Sequence, residues 1–137
     1  DEYDALSKAN TKDGAIVFFV GRVRDINEGD PVTALTLEHY PGMTEKSLAK
    51  IIEQAQSRWP INRVKVIHRI GTLTVGEQIV FVGVTSKHRR DAFLATEFIM
   101  DYLKVDAPFW KKEQTENGEY WLDAKQSDQQ QANRWLK

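Results

Sequence analysis

SKHRRDAFLATEFIMDYLKVDAPFWKKE, residues Ser86–Glu113, is the stretch around which the rest of the chain is organised. Its middle repeats Ala92, Ala95, Thr96, Ile99 and Leu103 at helical spacing, which predicts an amphipathic helix over about Arg90–Lys104. Pro108 breaks that pattern, and an aromatic-lysine cluster, Phe109-Trp110-Lys111-Lys112, follows. The start of the helix is electrostatically odd. Lys87, His88, Arg89 and Arg90 crowd an end that already carries about half a positive charge from aligned peptide dipoles. Two readings compete there: a ready anion site, since unpaired N–H groups and cations point at one ligand, or long cationic chains fanning into water.

Upstream, QIVFVGVTS (Gln78–Ser86) is an apolar, β-branched run and predicts a buried strand. Arg63–Ile70 predicts another, with a turn region over Gly71–Gly76 between them. Leu48, Ile51, Ile52, Ala55 and Trp59 mark one stripe of a helix over Glu45–Trp59, with Thr44 as its expected cap and Pro60 as its stop. Ala15–Val23 is apolar on both faces up to Gly21, which suggests a central strand. A loop rich in turn residues, Arg24–Pro31, leads to a strand over Val32–Tyr40. Downstream, Asn117-Gly118 predicts a hairpin between Phe109–Glu113 and Tyr120–Leu122. The order β-β-α-β-β-α-β-β implies an α+β fold with a mainly antiparallel sheet and two principal helices. It forms a single domain over residues 1–137, with a polar N-terminal arm (1–13), read as an arm or a short helix, and a polar C-terminal tail (125–137), either frayed or docked on a partner. The chain opens on Asp1 rather than Met, and preceding residues are expected.

Composition narrows the function. A net charge of −1 gives no general attraction to nucleic acid or to an anionic membrane, so any anion site is local. With no cysteine there is no disulfide, no thiolate metal site and no cysteine nucleophile, which is compatible with a reducing cytoplasm. No apolar run approaches the roughly 20 residues of a spanning helix. His39, His68 and His88 lack metal-ligand spacing, and His39 and His68 read as strand residues satisfied by hydrogen bonds; no metal is expected.

The positive candidates are cations. Arg22 and Arg24, two apart on a strand end, point to one face, and guanidinium groups suit phosphate or carboxylate. Lys104 ends the second helix, where a cation also favours the dipole without any function. Lys111 and Lys112 alternate across a strand, so one faces inward; a lysine desolvated by aromatics becomes a usable base or nucleophile. Arg89 and Lys104 lie fifteen residues apart, about 22 Å along one helix, so one small ligand reaches both only across a symmetric dimer. A tail-binding adaptor and a single-stranded nucleic-acid binder using Phe109 and Trp110 are the rival readings, the latter disfavoured by the net charge.

Several segments together resemble a known family. LEHYPGM (Leu37–Met43), HRIG (His68–Gly71), SKHRRDAF (Ser86–Phe93), FIMDYLKVDAPFWKKE (Phe98–Glu113), GRVRD (Gly21–Asp25) and Gln126-Ser127-Asp128-Gln129-Gln130 resemble the large, catalytic subunit of molybdopterin synthase, from about Gly14 to Trp135. The resemblance implies a sulfurtransferase of molybdenum cofactor biosynthesis in the cytoplasm. It would place two sulfurs on cyclic pyranopterin monophosphate to make the molybdopterin dithiolene, with no cofactor of its own. The sulfur would come from the C-terminal Gly-Gly thiocarboxylate of a small ubiquitin-like sulfur-carrier subunit, within a heterotetramer built on a homodimer of the large subunit. Carried over by motif, Lys104 and Lys111 are the catalytic pair. Arg24, His88 and Arg89 hold the phosphate, the last two from the neighbouring copy, and Arg22, Val23, Lys112 and Glu113 line the substrate pocket together with the catalytic lysines. Phe19 and Met100 shape the pocket. Lys125 departs from the arginine of some family members and is carried over only as a lining residue.

Overall fold

The structure, a computed structural model, describes residues 1–27, 30–39, 42–105, 109–115, 118–122 and 132–136; within these, the side chains of 26, 27, 30, 32, 109–111, 113 and 120–122 are outside the description. In chain order the elements are α1 (Glu2–Ser7), β1 (Ala15–Arg22), β2 (Ile26–Asn27), β3 (Asp30–His39), α2 (Met43–Arg58), β4 (Ile61–His68), β5 (Gly71–Thr74), β6 (Gln78–Ser86), α3 (Arg89–Val105), β7 (Phe109–Thr115) and β8 (Gly118–Leu122), followed by a 3₁₀ turn at Arg134–Leu136. The expected β-β-α-β-β-α-β-β run is embedded in this order, and all strand pairs are antiparallel.

Two sheets build two cores. β1-β6-β4 forms the first, with α2 and α3 on one face. Val82 and Val84 of β6 meet Ala92, Ala95, Phe98, Ile99 and Leu103 of α3 and Ile51 and Ala55 of α2. These are the apolar positions that the helical spacing marks, and truncating one such aliphatic side chain to Ala costs roughly 2–5 kcal/mol. In the second sheet β3 pairs with β7, which pairs with β8, while β5 and β2 also pair with β3. A small core of Val23, Leu35, Leu37 and Leu73, with Ile79 packed against it, joins the two sheets.

Four expectations need correction. β1 is an edge of its sheet and β6 is the centre. β1 is apolar on both faces because Ala15 and Val17 pack on the helix side, while Phe18 joins an aromatic cluster with Tyr3 and Phe81 on the other. The turn region after β4 contains β5, a four-residue strand whose Leu73 is 1% exposed. Thr44 does not cap α2; it is buried, and Glu45 Oε2 instead accepts the Gly42 N–H at 2.5 Å. The tail is not frayed over residues 132–136: it docks on α3 of its own chain. Trp135 donates from Nε1 to Asp101 Oδ2 at 2.7 Å, and its ring stands edge-on to Trp59 and Phe98. Arg134 pairs with Glu97 and Asp101, and Arg58 donates to the Trp135 carbonyl at 2.7 Å. Both acids favour the guanidinium, Glu97 most, and hold Arg134 above its ordinary pKa against a partial desolvation.

Of the N-terminal arm's two readings the short helix holds. α1 lies on the face of the first sheet opposite α2 and α3 and buries Leu6 over Gly83, where a Cβ would stand 2.5 Å from Leu6 Cδ1. Arg63 holds its end, donating from one nitrogen to the carbonyls of Ala5, Leu6 and Lys8. Asp13 ties the following loop to β4 through Asn62 at 2.9 Å.

Candidate active site

At one end of the first sheet, the end of β1, the end of β4, the start of β6 and the last turn of α3 enclose a cleft of about 390 Å³. That size suits a small molecule. Its wall is apolar on two sides: Phe19 and Val20 from β1 and Ile79 and Val80 from β6 face Met100 and Leu103 from α3. Its polar groups are Arg22, Arg24, His68 and Lys104. Among the described residues no carboxylate lines it.

Local physics explains how the arginines get there. The ladder between β1 and β6 slips by one residue after Gly21, so that Arg22 pairs with Gln78. A slip of this kind re-aims the side chain that follows it. Val23, the next residue, is driven into the small core and bolted there by its backbone: its N–H donates to Glu77 O at 2.9 Å, and its carbonyl accepts from Gly76 at 2.9 Å. With Val23 turned inward, alternation puts Arg22 and Arg24 on the cleft side. Arg22 is steadied by donation from Nε to Gly76 O at 3.1 Å. Gly76 sits at a φ of 87°, a turn conformation that glycine adopts without strain.

The other expected site residues divide into those that share this cleft and those that do not. Lys104, exposed in the last turn of α3, shares it, as do Phe19 and Met100. Val23 lies in the core behind it. Lys112 is not among the lining residues; its Nζ stands 3.2 Å from Glu119 Oε2. Glu119 also accepts from Gln114 at 2.8 Å, and that bond followed by the Lys112 contact holds its carboxyl below the usual value. His88 and Arg89 are exposed at the far end of α3, where the His88 N–H donates to Ser86 Oγ at 3.4 Å and Asp91 is the acidic residue of the first turn. At about 1.5 Å per residue they are some 22 Å from Lys104 and cannot enter the same cleft. Lys111 and Glu113 stand in β7 opposite Leu37 and Leu35, one strand away from Val23 in the small core; their side chains, and all of Lys125, lie outside the described residues. Among the described residues no group of three or more His, Cys, Asp or Glu side chains gathers as metal ligands would.

Sequence reasoning took His68 as a strand residue satisfied by hydrogen bonding. It does make such a bond, Nδ1 to Arg69 O at 2.9 Å, but it also lines the cleft. The one signal available was its place at a strand end just before a glycine turn.

This is an α+β domain with a compact cleft whose formal charges, among the described residues, are all positive, the kind of site that recognises a small, anionic ligand. Comparison with known proteins is consistent with that class and narrows it. The family model described as "MoaE protein" matches residues 1–106. The molybdopterin synthase catalytic subunit of Escherichia coli (strain K12) is 61% identical over 135 residues, covering 98% of this chain and 89% of that protein. The subunit of the same name from Vibrio cholerae is 60% identical over 134 residues, with the same coverage. Among solved structures, the molybdopterin biosynthesis MoaE protein of Burkholderia ambifaria superposes with a TM-score of 0.82 at 51% identity, covering 99% of this chain and 89% of that one. Molybdopterin synthase from Staphylococcus aureus superposes with a TM-score of 0.83 at 36% identity, covering 89% and 88%. The chain belongs to the MoaE family of molybdopterin synthase catalytic subunits. No helix among the described residues is long and apolar enough to cross a membrane.

Proposed function

We propose that this chain works as the catalytic subunit of molybdopterin synthase, a cytoplasmic sulfurtransferase that places two sulfurs on cyclic pyranopterin monophosphate to form the molybdopterin dithiolene. The observation that carries the reading is the convergence of Arg22, Arg24 and Lys104 on one cleft with an apolar wall, on the fold of this family. A phosphorylated, partly planar substrate needs both features: cations for the phosphate and a dry wall for the ring system. The chain has no cysteine to carry a persulfide, so its sulfur has to arrive from outside. The donor is the C-terminal thiocarboxylate of a small ubiquitin-like subunit whose tail enters the cleft.

Arg24 holds the phosphate from the same chain. His88 and Arg89 complete that grip from a second copy, because their own α3 carries them to its opposite end. The assembly is therefore a homodimer of this chain with a small subunit on each copy. Lys104 and Lys111 form the catalytic pair: one receives the incoming sulfur donor, and the other stabilises charge or moves protons as the cyclic phosphate opens. Arg22, Val23, Lys112 and Glu113 shape the substrate's surroundings, Phe19 and Met100 form its apolar wall, and Lys125 adds a further cation.

The test is a reaction of the purified complex with thiocarboxylated small subunit, followed by mass spectrometry for a gain of two sulfurs on the pterin. Lys104→Ala and Lys111→Ala are each expected to lower conversion by at least about 10²-fold, the range of a positioned acid–base group, while still binding the small subunit. Wild-type rates in both variants would refute the assignment.

A further inference from the structure

We propose that Glu77 is a positioning residue for substrate recognition: its side chain closes the turn between β5 and β6, and that turn holds the Arg22 guanidinium in place for the pterin phosphate. The inference rests on the reading of Arg22 as a substrate-binding group. Glu77 is half-buried and stands outside the residues that line the cleft, so it acts through its neighbours. The turn is Thr74-Val75-Gly76-Glu77, and Glu77 binds its first residue twice. The Glu77 N–H donates to the Thr74 carbonyl at 3.1 Å, and Glu77 Oε2 accepts the Thr74 N–H at 2.7 Å. A backbone N–H needs an acceptor, and here a side chain supplies it. Gly76 contributes the positive φ of 87° that the turn uses.

The end of β1 is fastened to this closed turn. Gly76 N–H donates to Val23 O and Val23 N–H donates to Glu77 O, both at 2.9 Å, while Arg22 Nε donates to Gly76 O at 3.1 Å. The guanidinium also lies close over the turn: a Cβ on Gly76 would stand 3.4 Å from Arg22 Nη2. Arg22 is an exposed residue that lines the cleft. A long exposed side chain samples many rotamers, and holding it in one before the ligand arrives removes an ordering cost from binding. With the Glu77 carboxylate gone, the Thr74 end of the turn is released and Gly76 O loses its fixed place. Val23 stays anchored by its burial in the small core, so the part set loose is the Arg22 side chain. It keeps its charge and loses its aim, which weakens binding and leaves the chemistry at the lysines untouched.

The experiment is a double-mutant cycle between Glu77→Ala and Arg22→Ala in the complete complex. Binding of cyclic pyranopterin monophosphate is titrated by calorimetry, and single-turnover sulfur transfer at saturating substrate is followed by mass spectrometry. Arg22→Ala should weaken binding by at least about tenfold, the lower end for a bond to a charged group. Glu77→Ala should weaken it by about three- to tenfold, with the rate at saturation within about twofold of wild type. In the Arg22→Ala background it should add less than about twofold, because the two residues act as one unit. Glu77→Gln keeps an oxygen for the Thr74 N–H and should bind within about twofold of wild type. Glu77→Asp, one methylene shorter, takes the place of Glu77→Ala if that variant does not fold. Equal losses from Glu77→Ala with and without Arg22 would overturn the inference, as would a loss confined to the rate or a Glu77→Gln protein no better than Glu77→Ala. If Arg22→Ala binds weakly and Glu77→Ala normally, only the role of Glu77 falls; if Arg22→Ala also binds normally, the reading of Arg22 falls with it.

Discussion

Removing the indole of Trp135 tests the docked tail, which braces the helix carrying Lys104. In Trp135→Ala two edge-on ring contacts disappear, to Trp59 and to Phe98, each with centroids 5.5 Å apart. Such pairs contribute about 0.5–1.5 kcal/mol apiece. The Nε1–H bond to Asp101 at 2.7 Å also goes, and a bond to a charged acceptor is worth about 1.5–3 kcal/mol. Asp101 is not stranded, because Arg134 still reaches it at 3.1 Å, and the Arg58 bond to the residue 135 carbonyl involves no Trp side chain. These terms share the same ordering cost and do not add, so the expected net loss is about 2–4 kcal/mol. For a domain of this size that is a fall of roughly 6–14 °C in Tm. Trp135→Phe keeps much of the packing and should lose about half as much. The assay is urea and thermal unfolding at one fixed protein concentration, since association also affects stability. A Trp135→Ala protein within about 0.5 kcal/mol of wild type, the level of an ordinary surface change, would refute the docking of the tail.

Gly83→Ala should lower stability by about 1–3 kcal/mol, because its Cβ would meet Leu6 Cδ1 at 2.5 Å and the Phe81 ring at 2.9 Å; proteolysis should then cut α1 sooner, and unchanged protection would contradict the close fit. Asp13 is pulled up by desolvation, but hydrogen bonds from Asn62, Asn10 and Thr85 and the charge of Arg63 together leave its carboxyl below the usual 3.8. A lowered folded-state value means stability present above the unfolded pKa and lost as pH falls through the folded one. Asp13→Asn should therefore lie below wild type at pH 5–7 and converge with it under acid; parallel curves down to pH 2 would count against that network.

How far the sequence could be read depended on whether a signal was local. β6 runs from Gln78 to Ser86 as its unbroken apolar run predicts, and the buried face of α3 holds Ala92, Ala95, Thr96, Ile99 and Leu103 as their spacing requires. The rank of β1 could not be read, because an edge strand with an aromatic cover looks the same in one dimension as a central strand. β5 offered four residues with one buried, too few for a period. The contact of Trp135 with Asp101 spans 34 residues and leaves no local mark. At the site, the alternation of Arg22 and Arg24 was legible from strand geometry alone. The place of His68 was not, since it exists only where β4 ends beside β1 and β6.

The most direct measurement of the central claim, a site shared between two copies, is complementation. Arg89→Ala leaves Lys104 intact, and Lys104→Ala leaves Arg89 intact. Each homodimer is expected to be inactive, whereas a mixed dimer holds one site with both groups and one with neither. After subunit exchange at equal amounts, half the dimers are mixed and each keeps one of two sites, so activity should recover to about a quarter of wild type. No recovery, with exchange verified by native mass spectrometry, would contradict the account.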